Sequence, residues 1–360
     1  MHVPDGFINA PVSAVTGVVA AGAVAVSLRG ARRELGGTSR AGEAERGGER
    51  TAPLAGLVAA FIFAVQMLNF PVAAGTSGHL LGGALAAILV GPWTGVLCVS
   101  VVLLMQGILF ADGGLTALGV NITDMAIVTT VVAYAVFRGL LKVLPRTRRS
   151  VTAASFVAAL LSVPAAAVAF TLVYWIGGTT DVPIGKVATA MIGVHVLIGI
   201  GEAVITALTV GAVIAVRPDL VYGARGLQQR LKLRVGGELV DAPAAEPAPV
   251  AAPRSRRTIW LTGLAVCVVL AGFVSFYASA SPDGLEKVAA DQGIDAKAEE
   301  HAAADSPLAD YGVKDIADAR LSGGLAGVIG VGVTVVAGST VFWALRRRRT
   351  ADTSPTGTDV

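Results

Sequence analysis

The first two residues of this chain, Met1 and His2, carry nitrogen atoms that together could chelate a metal ion. The α-amine, the His2 backbone nitrogen when it is deprotonated, and imidazole Nδ1 close fused chelate rings that favour coplanar nitrogens. One further imidazole would complete a planar N₄ set, which suits Ni²⁺ or Cu²⁺ better than tetrahedral Zn²⁺. We expect Met1 to be the mature terminus, because the apolar run that follows lacks the basic segment of a secretory signal.

A histidine in a glycine-rich segment is the candidate for the fourth ligand. His79 lies in NFPVAAGTSGHLLGG (residues 69–83), and the predicted topology places it on the same side as Met1. Glycines let backbone segments approach closely and let a re-entrant loop pack inside protein at membrane depth. A tight turn with a structural histidine is the alternative interpretation. A histidine at position 2 can occur by chance, so His2 alone is weak evidence for a metal site. The presence of His79 on the same predicted side of the membrane makes the metal-ligand interpretation stronger than either histidine does alone.

The elements that must position these residues are membrane helices. Of the residues, 54% are apolar and 15% are charged, against roughly 25% charged residues in soluble domains. A helix needs about 20 apolar residues to cross a bilayer. Nine runs are candidate spans: Ile8–Leu28, Leu54–Phe70, the short Leu80–Val90, Thr94–Phe110, Leu118–Phe137, Val151–Ile176, Val187–Val216, Ile259–Ala280 and Leu325–Leu345. The sequence therefore predicts an all-α, polytopic helical bundle of about nine spans in membrane lipid.

The positions of Lys and Arg predict the orientation of this bundle. With an extracytoplasmic N-terminus, the cytoplasmic segments 29–50, 138–149, 217–257 and the tail from residue 346 hold 23 of the 28 basic residues. Cytoplasmic loops carry an excess of Lys and Arg, so this orientation is favoured and the C-terminus is expected in the cytoplasm. The net charge of +3 gives no indication of a nucleic-acid partner.

Composition divides the chain into two membrane modules. We predict a seven-span module over residues 1–217, a cytoplasmic Pro/Ala-rich linker over 218–257, a two-span module over 258–349, and a tail over 350–360. The linker contains DAPAAEPAPVAAP (Asp241–Pro253), which favours extended, solvated backbone. Between the last two spans, residues 281–322 hold ten acidic and four basic residues and show a helical tendency from Leu285 to Ala304.

Several long motifs resemble one transporter family. MHVPDGF at the start, QMLNFPVAAGTSGHLLGGALAAILVGPW (residues 66–93) and VHVLIGIGEAVIT (194–206) resemble the CbiM/NikM substrate-capture components of energy-coupling-factor metal transporters. PDGLEKVAAD (282–291) and SPLADYGV (306–313) resemble the small CbiN/NikN partner subunit, here joined in one chain. The resemblance implies metal ligands at Met1, His2 and His79, and Ni²⁺ or Co²⁺ as the transported substrate, with nickel favoured.

The resemblance also implies partners that supply energy. The sequence has no GxxxxGK[ST] phosphate loop, and neither HExxH nor GxSxG, so we expect no enzyme activity in this chain. ATP hydrolysis is expected in separate ATPase subunits that act through a transmembrane coupling subunit in the plasma membrane. The alternative is a secondary transporter or channel without ATPases, a class that usually shows internal repeats and broken helices, and we find neither in the sequence.

Other polar residues within apolar segments need partners or a function. Gln66, Asn69 and Asn121 are candidates to hold the ligand loop, since buried polar groups require hydrogen bonds. His195 and Glu202 lie seven residues apart on one helical face, where they either pack as a hydrogen-bonded pair or act near the metal. An acid/base role in an enzyme is remote, because no nucleophile accompanies them. His301 lies in the acidic segment, and is either part of a solvated helical face or a residue that delivers metal.

Overall fold

The computed structural model describes residues 1–36, 52–73, 75–225, 232–235, 238–241 and 256–351. The described residues are mostly helical, as predicted. Its helices are α1 (Ala10–Gly36), α2 (Ala52–Gln66), α3 (Gly83–Val90), α4 (Pro92–Leu109), α5 (Leu118–Val143), α6 (Arg148–Gly177), α7 (Ile184–Val216), α8 (Arg256–Gly272), α9 (Gly284–Gln292) and α10 (Ala319–Ala351). Two antiparallel hairpins pair β1 (Phe70–Ala73) with β2 (Thr76–Gly78) and β3 (Lys232–Val235) with β4 (Glu238–Asp241).

Seven of the described helices are long and apolar enough to cross a membrane: α1, α4, α5, α6, α7, α8 and α10. Many of their large apolar side chains, including Val18, Trp175 and Leu208, are exposed on the outside of the bundle. Such a surface is stable only against hydrocarbon, because apolar area in water is costly. The protein is therefore a multi-pass membrane protein.

Two of the nine predicted spans differ from the expectation. The predicted span Leu54–Phe70 ends as a helix at Gln66, where α2 has 15 residues. The predicted span Leu80–Val90 forms only the eight-residue helix α3. At 1.5 Å per residue, eight residues cover about 12 Å, less than half of a hydrocarbon core about 30 Å thick. The prediction of a third membrane-spanning helix at Leu80–Val90 is therefore wrong: this region is a short helix preceded by non-helical chain.

This broken segment still runs between the two ends of the bundle. At one end, His79 lies beside Met1. At the other, α3 stops at Gly91, and the carboxylate of Glu34 at the end of α1 accepts a 2.8 Å hydrogen bond from the backbone N–H of Thr94. Four non-helical residues (79–82) and one short helix therefore take the place of a full helix in this part of the bundle.

The non-helical part of this segment needs hydrogen-bond partners, because its backbone N–H and C=O groups are buried and lack the internal bonds of a helix. Glu202 on α7 accepts hydrogen bonds from the backbone N–H groups of Leu81, at 2.7 Å, and Gly82, at 3.1 Å. The side-chain amide of Gln66 donates to the carbonyl of Leu81 at 3.0 Å. Two predicted polar residues thus satisfy the backbone directly after His79.

The C-terminal module packs on the first module through α8 and α10, both of which contact α2. The chain between α8 and α10 covers the end of the bundle that holds Met1. There the ring of Tyr311 stacks on Phe110 with centroids 4.9 Å apart, and the Ser306 hydroxyl donates to the carbonyl of Leu109 at 2.6 Å. Helix α9 is shorter than the predicted helical stretch to Ala304, because Gly293 adopts a left-handed conformation and ends it. Of the predicted linker 218–257, residues 226–231, 236–237 and 242–255 lie outside the described residues, whereas residues 218–225, the β3–β4 hairpin and the first two residues of α8 are described.

Candidate metal centre

The N-terminal segment folds back into the protein interior instead of projecting into solvent. Met1, His2 and Val3 are all buried. Asn121 on α5 holds Val3 at both backbone groups: its Oδ1 accepts from the Val3 N–H at 2.7 Å, and its Nδ2 donates to the Val3 carbonyl at 3.1 Å. That carbonyl also accepts from the N–H of Gly114 at 2.9 Å. The third residue is therefore fixed in place, and the two residues before it are restricted to one small region.

Asp5 and Gly6 fix the next turn of the segment against both modules. The Asp5 carboxylate accepts from the backbone N–H of Thr116 at 2.8 Å, and the Asp5 carbonyl accepts from the N–H of Glu299 at 3.0 Å. Gly6 has a φ of 85°, and a Cβ there would lie 2.1 Å from the carbonyl oxygen of Lys297. Only glycine fits this position, because both the backbone conformation and the close approach exclude a side chain.

The Met1 amine and the His79 ring meet at the end of this fold-back. The amine nitrogen lies 2.7 Å from His79 Nε2. His79 Nδ1 lies 3.1 Å from the carbonyl oxygen of Leu80, so we assign its proton to Nδ1. With that tautomer the Nε2 lone pair points at the amine. A ring held through one nitrogen in this way presents the other as a metal ligand.

The His2 ring lies beside the His79 ring, with centroids 5.1 Å apart. His2 Nε2 is 3.2 Å from the Gln106 Oε1, and Nδ1 is 3.2 Å from an Asp112 carboxylate oxygen. Burial is the main cause that lowers the pKa of His2, to about 4, although Asp112 opposes the shift. The ring is therefore neutral at physiological pH, the form that binds metals. Closing the chelate would exchange the Asp112 contact for a metal–nitrogen bond.

A carboxylate that the sequence analysis did not select completes the cluster. Asp283 Oδ2 lies 2.5 Å from the Met1 amine and 3.4 Å from His79 Nε2. Burial by itself would raise the pKa of Asp283, but the positive Met1 amine beside it holds that pKa well below its ordinary value. One ligand atom each from His2, His79 and Asp283 lie within 4.8 Å of one another. Such a group of donors, together with the amine, is able to hold one cation.

The PDGLE sequence places Asp283 through a set of local contacts. Asp283 caps α9: its Oδ1 accepts from the Glu286 N–H at 2.8 Å, and the Glu286 carboxylate accepts from the Asp283 N–H at 2.9 Å. The Pro282 carbonyl accepts a 2.8 Å hydrogen bond from the N–H of Ser77 in β2. A Cβ at Gly284 would lie 2.7 Å from Ile198 on α7, so this glycine allows close packing. The capping-box pattern Asp-x-x-Glu was the signal in the sequence that could have identified Asp283.

The other polar residues that the sequence analysis selected lie around the cluster and have different partners. Asn121, Gln66 and Glu202 hold the backbone on either side of the cluster, as described above. His195 and Glu202 do not pair with each other. His195 Nδ1 lies 2.7 Å from the Met191 carbonyl oxygen, and the Glu202 carboxylate binds the backbone N–H groups of Leu81 and Gly82. His195 Nε2 is buried and has no hydrogen-bond partner among the described residues. The backbone carbonyl of Asn69 accepts from the Ser279 N–H at 2.7 Å and so ties the hairpin to the C-terminal module, while the Asn69 side-chain Oδ1 has no hydrogen-bond partner among the described residues.

A cavity of about 600 Å³ opens beside the cluster, between the two modules. We call it the site cavity. Both ring nitrogens of His301 are occupied there: Nδ1 accepts from the Ala303 N–H at 2.9 Å, and Nε2 lies 3.2 Å from the Gly113 carbonyl. His301 therefore serves to hold the loop in this structure. Carboxylates dominate the charged part of the lining, which includes Asp5, Asp112, Asp283, Glu286, Glu299 and Asp310, with Arg320 also present.

Comparisons with known proteins agree with this architecture. The model of the family described as the cobalt uptake substrate-specific transmembrane region (CbiM) matches residues 2–220, and the PDGLE domain model matches residues 257–347. A relative in Archaeoglobus fulgidus that is named as a fused nickel transport protein, NikMN, is 39% identical over 223 residues, 61% of this chain and 68% of that protein. The cobalt transport protein CbiM of Geobacter sulfurreducens is 31% identical over 226 residues, 61% of each chain.

A solved structure also matches the fold. The crystal structure of a transition metal transporter aligns with a TM-score of 0.50 at 28% identity, covering 60% of this chain and 93% of that one. The resemblance predicted from the opening motif, the glycine-rich loop and the PDGLE sequence is thereby confirmed. The chain belongs to the CbiM family of cobalt-uptake transmembrane proteins and carries a PDGLE domain in its C-terminal part.

Proposed function

We propose that this protein is the substrate-specific membrane component of an ATP-driven energy-coupling-factor importer for Ni²⁺ or Co²⁺, with nickel as the favoured ion. The observation that supports this most directly is the meeting of the Met1 amine with His79 Nε2 at 2.7 Å, beside His2. Amine and imidazole nitrogens favour late first-row transition metals over Mg²⁺ or Ca²⁺, which prefer oxygen ligands. Met1, His2 and His79 are the proposed nitrogen ligands.

The separation of the two nitrogens supports a shared ion. Metal–nitrogen bonds to imidazole are about 2.0–2.1 Å long, so two ligands at right angles around one ion lie about 2.9 Å apart. The 2.7 Å between the Met1 amine and His79 Nε2 is close to that value. Asn121 and Glu202 hold the chain next to these ligands, which limits the rearrangement that metal binding requires.

The distribution of charge supports an extracytoplasmic site. The metal cluster and the acidic segment 281–322 lie at one end of the bundle. Among the described residues, basic side chains lie at the opposite ends of three helices: Arg32 and Arg33 near the end of α1, Arg148 and Arg149 at the start of α6, and Arg217 directly after α7. With the basic end in the cytoplasm, Met1 faces the outside of the plasma membrane and the acidic site cavity would attract cations from there. Import then requires a coupling subunit and ATPase subunits as partners.

Uptake of radioactive Ni²⁺ by membrane vesicles tests this function. Vesicles that contain the chain together with its coupling and ATPase subunits should accumulate Ni²⁺ when supplied with ATP. A substitution that inactivates the ATPase subunits should stop accumulation. Equal uptake with the inactive ATPases, driven by an ion gradient, would contradict the proposal and favour a secondary transporter.

A further inference from the structure

Three ligand atoms around the Met1 amine form a triangle that one metal ion fits. The amine nitrogen lies 2.7 Å from His79 Nε2 and 2.5 Å from Asp283 Oδ2, and these two atoms lie 3.4 Å from each other. Ligand atoms about 2.0–2.1 Å from a shared ion lie about 2.9 Å apart at right angles and about 3.4 Å apart at tetrahedral angles. Two of the distances, 2.7 and 3.4 Å, are close to these values, and the 2.5 Å ion pair between the amine and the carboxylate would have to lengthen by about 0.4 Å to reach the right-angle spacing. The three atoms are therefore placed as neighbouring ligands of one ion, although two of them belong to the first module and one to the second.

The two carboxylate oxygens of Asp283 have different partners. Its Oδ1 caps α9 by accepting from the Glu286 N–H at 2.8 Å, and this contact fixes the direction of the side chain. Its Oδ2 is left to face Met1 and His79. Because the residue is buried and its backbone is held by the capping box, Oδ2 is presented to the cluster by rigid structure and not by a mobile loop.

The loop that carries Asp283 is attached directly to the loop that carries His79. The Ser77 hydroxyl donates to the carbonyl of Ser281 at 2.8 Å, and the Ser77 N–H donates to the carbonyl of Pro282 at 2.8 Å. Ser77 is two residues before His79, and Pro282 directly precedes Asp283. These bonds set the distance between the imidazole and the carboxylate independently of the Met1 amine.

From these contacts we infer that Asp283 binds the transported ion through Oδ2, so that the C-terminal module supplies one oxygen ligand to the nitrogen site of the first module. This inference rests on the proposed function, since it assumes that Met1, His2 and His79 hold the ion. Added to four coplanar nitrogens, this oxygen would be a fifth ligand outside their plane. A planar nitrogen set alone favours four-coordinate Ni²⁺ or Cu²⁺, so the carboxylate would change the coordination number that the site offers.

The test compares the full-length chain with Asp283→Asn and Asp283→Ser variants. Asn and Ser are both good N-cap residues, so each keeps α9 capped while it removes the anionic oxygen. The Glu299→Gln variant is the matched control, because it removes one negative charge from the site cavity without touching the triangle. Each protein is loaded with Ni²⁺ and measured by nickel K-edge X-ray absorption, which distinguishes planar four-coordinate from five-coordinate nickel, and by calorimetric titration.

We expect five-coordinate nickel in the wild type and the Glu299→Gln variant, and planar four-coordinate nickel in both Asp283 variants. Affinity in those variants should fall by the order of 10- to 100-fold, the range seen when groups around metal ligands are removed. Identical absorption spectra in the wild type and the Asp283 variants would overturn the inference, as would tighter binding, which would mean that Asp283 competes with the ion. His79→Ala separates the two claims: if it leaves Ni²⁺ binding intact, the proposed nitrogen site itself fails.

Discussion

The amino group of Met1 and the carboxylate of Asp283 are separated by 282 residues in the sequence and by 2.5 Å in the structure. The first residue of the membrane module thus forms an ion pair with the first turn of the PDGLE helix, inside a buried cluster. Because breaking a buried ion pair leaves an uncompensated charge, each partner depends on the other. The N-terminal site and the C-terminal module therefore form a single structural unit at this end of the bundle.

The His79→Ala substitution should remove the fourth nitrogen ligand. The Met1–His2 chelate would remain, but Ni²⁺ affinity in a calorimetric titration should fall by about 100-fold or more. His301→Ala is a suitable control, because both nitrogens of His301 are engaged in hydrogen bonds away from the cluster. If the His79 variant binds as tightly as the control, the metal is held elsewhere.

Glu202 should matter for stability and, through His79, for metal affinity. Replacing it with Ala leaves the N–H groups of Leu81 and Gly82 without their partner, and each buried unsatisfied group costs about 1–3 kcal/mol. Glu202→Gln keeps one acceptor oxygen and should lose about half as much. Thermal unfolding of the purified protein should rank wild type above Glu202→Gln above Glu202→Ala. An unchanged melting temperature in the alanine variant would show that the loop is held by other contacts.

The buried His2 ring should make the metal-free protein less stable in mild acid. Burial lowers the pKa of His2 from 6.5 to about 4, so between these values the unfolded chain takes up a proton that the folded ring does not. Stability therefore falls as the pH drops from about 6.5 to about 4, by up to about 3 kcal/mol, and is unaffected by this ring at higher pH. His2→Gln should flatten the dependence of the melting temperature on pH in this window. The His301→Gln control should keep the wild-type slope, and equal slopes in all three proteins would refute the explanation.

The sequence predicted the fold class and the family, and it selected Met1, His2 and His79, which lie together in the structure. Apolar runs indicate membrane helices, and His2 and His79 are rare residue types in distinctive surroundings. The short helix α3 was not predicted, since an apolar run shows hydrophobicity but not where the chain leaves helical geometry. There, Gly82 takes a positive φ of 91° and Glu202 binds the backbone of residues 81 and 82.

The Asp-x-x-Glu pattern could have identified Asp283 as the N-cap of a helix, but not as a neighbour of Met1 and His79. The contact with Met1 depends on how the two modules pack. The same holds for His195 and Glu202, which share a helical face. His195 contacts Met191, four residues before it on the same helix, whereas Glu202 contacts the backbone of Leu81, which is 121 residues away in the sequence. Contacts between residues far apart in the sequence leave no periodic signal.

The proposed metal site depends above all on the free amine of Met1 as a ligand. The most direct measurement is a calorimetric titration with Ni²⁺ of the chain that begins at Met1, compared with the same chain whose α-amine is acetylated. We predict one Ni²⁺ bound per unblocked chain and no measurable binding by the acetylated chain, because an acetylated nitrogen has no lone pair available for the metal. Equal affinity of the two chains would contradict the central claim.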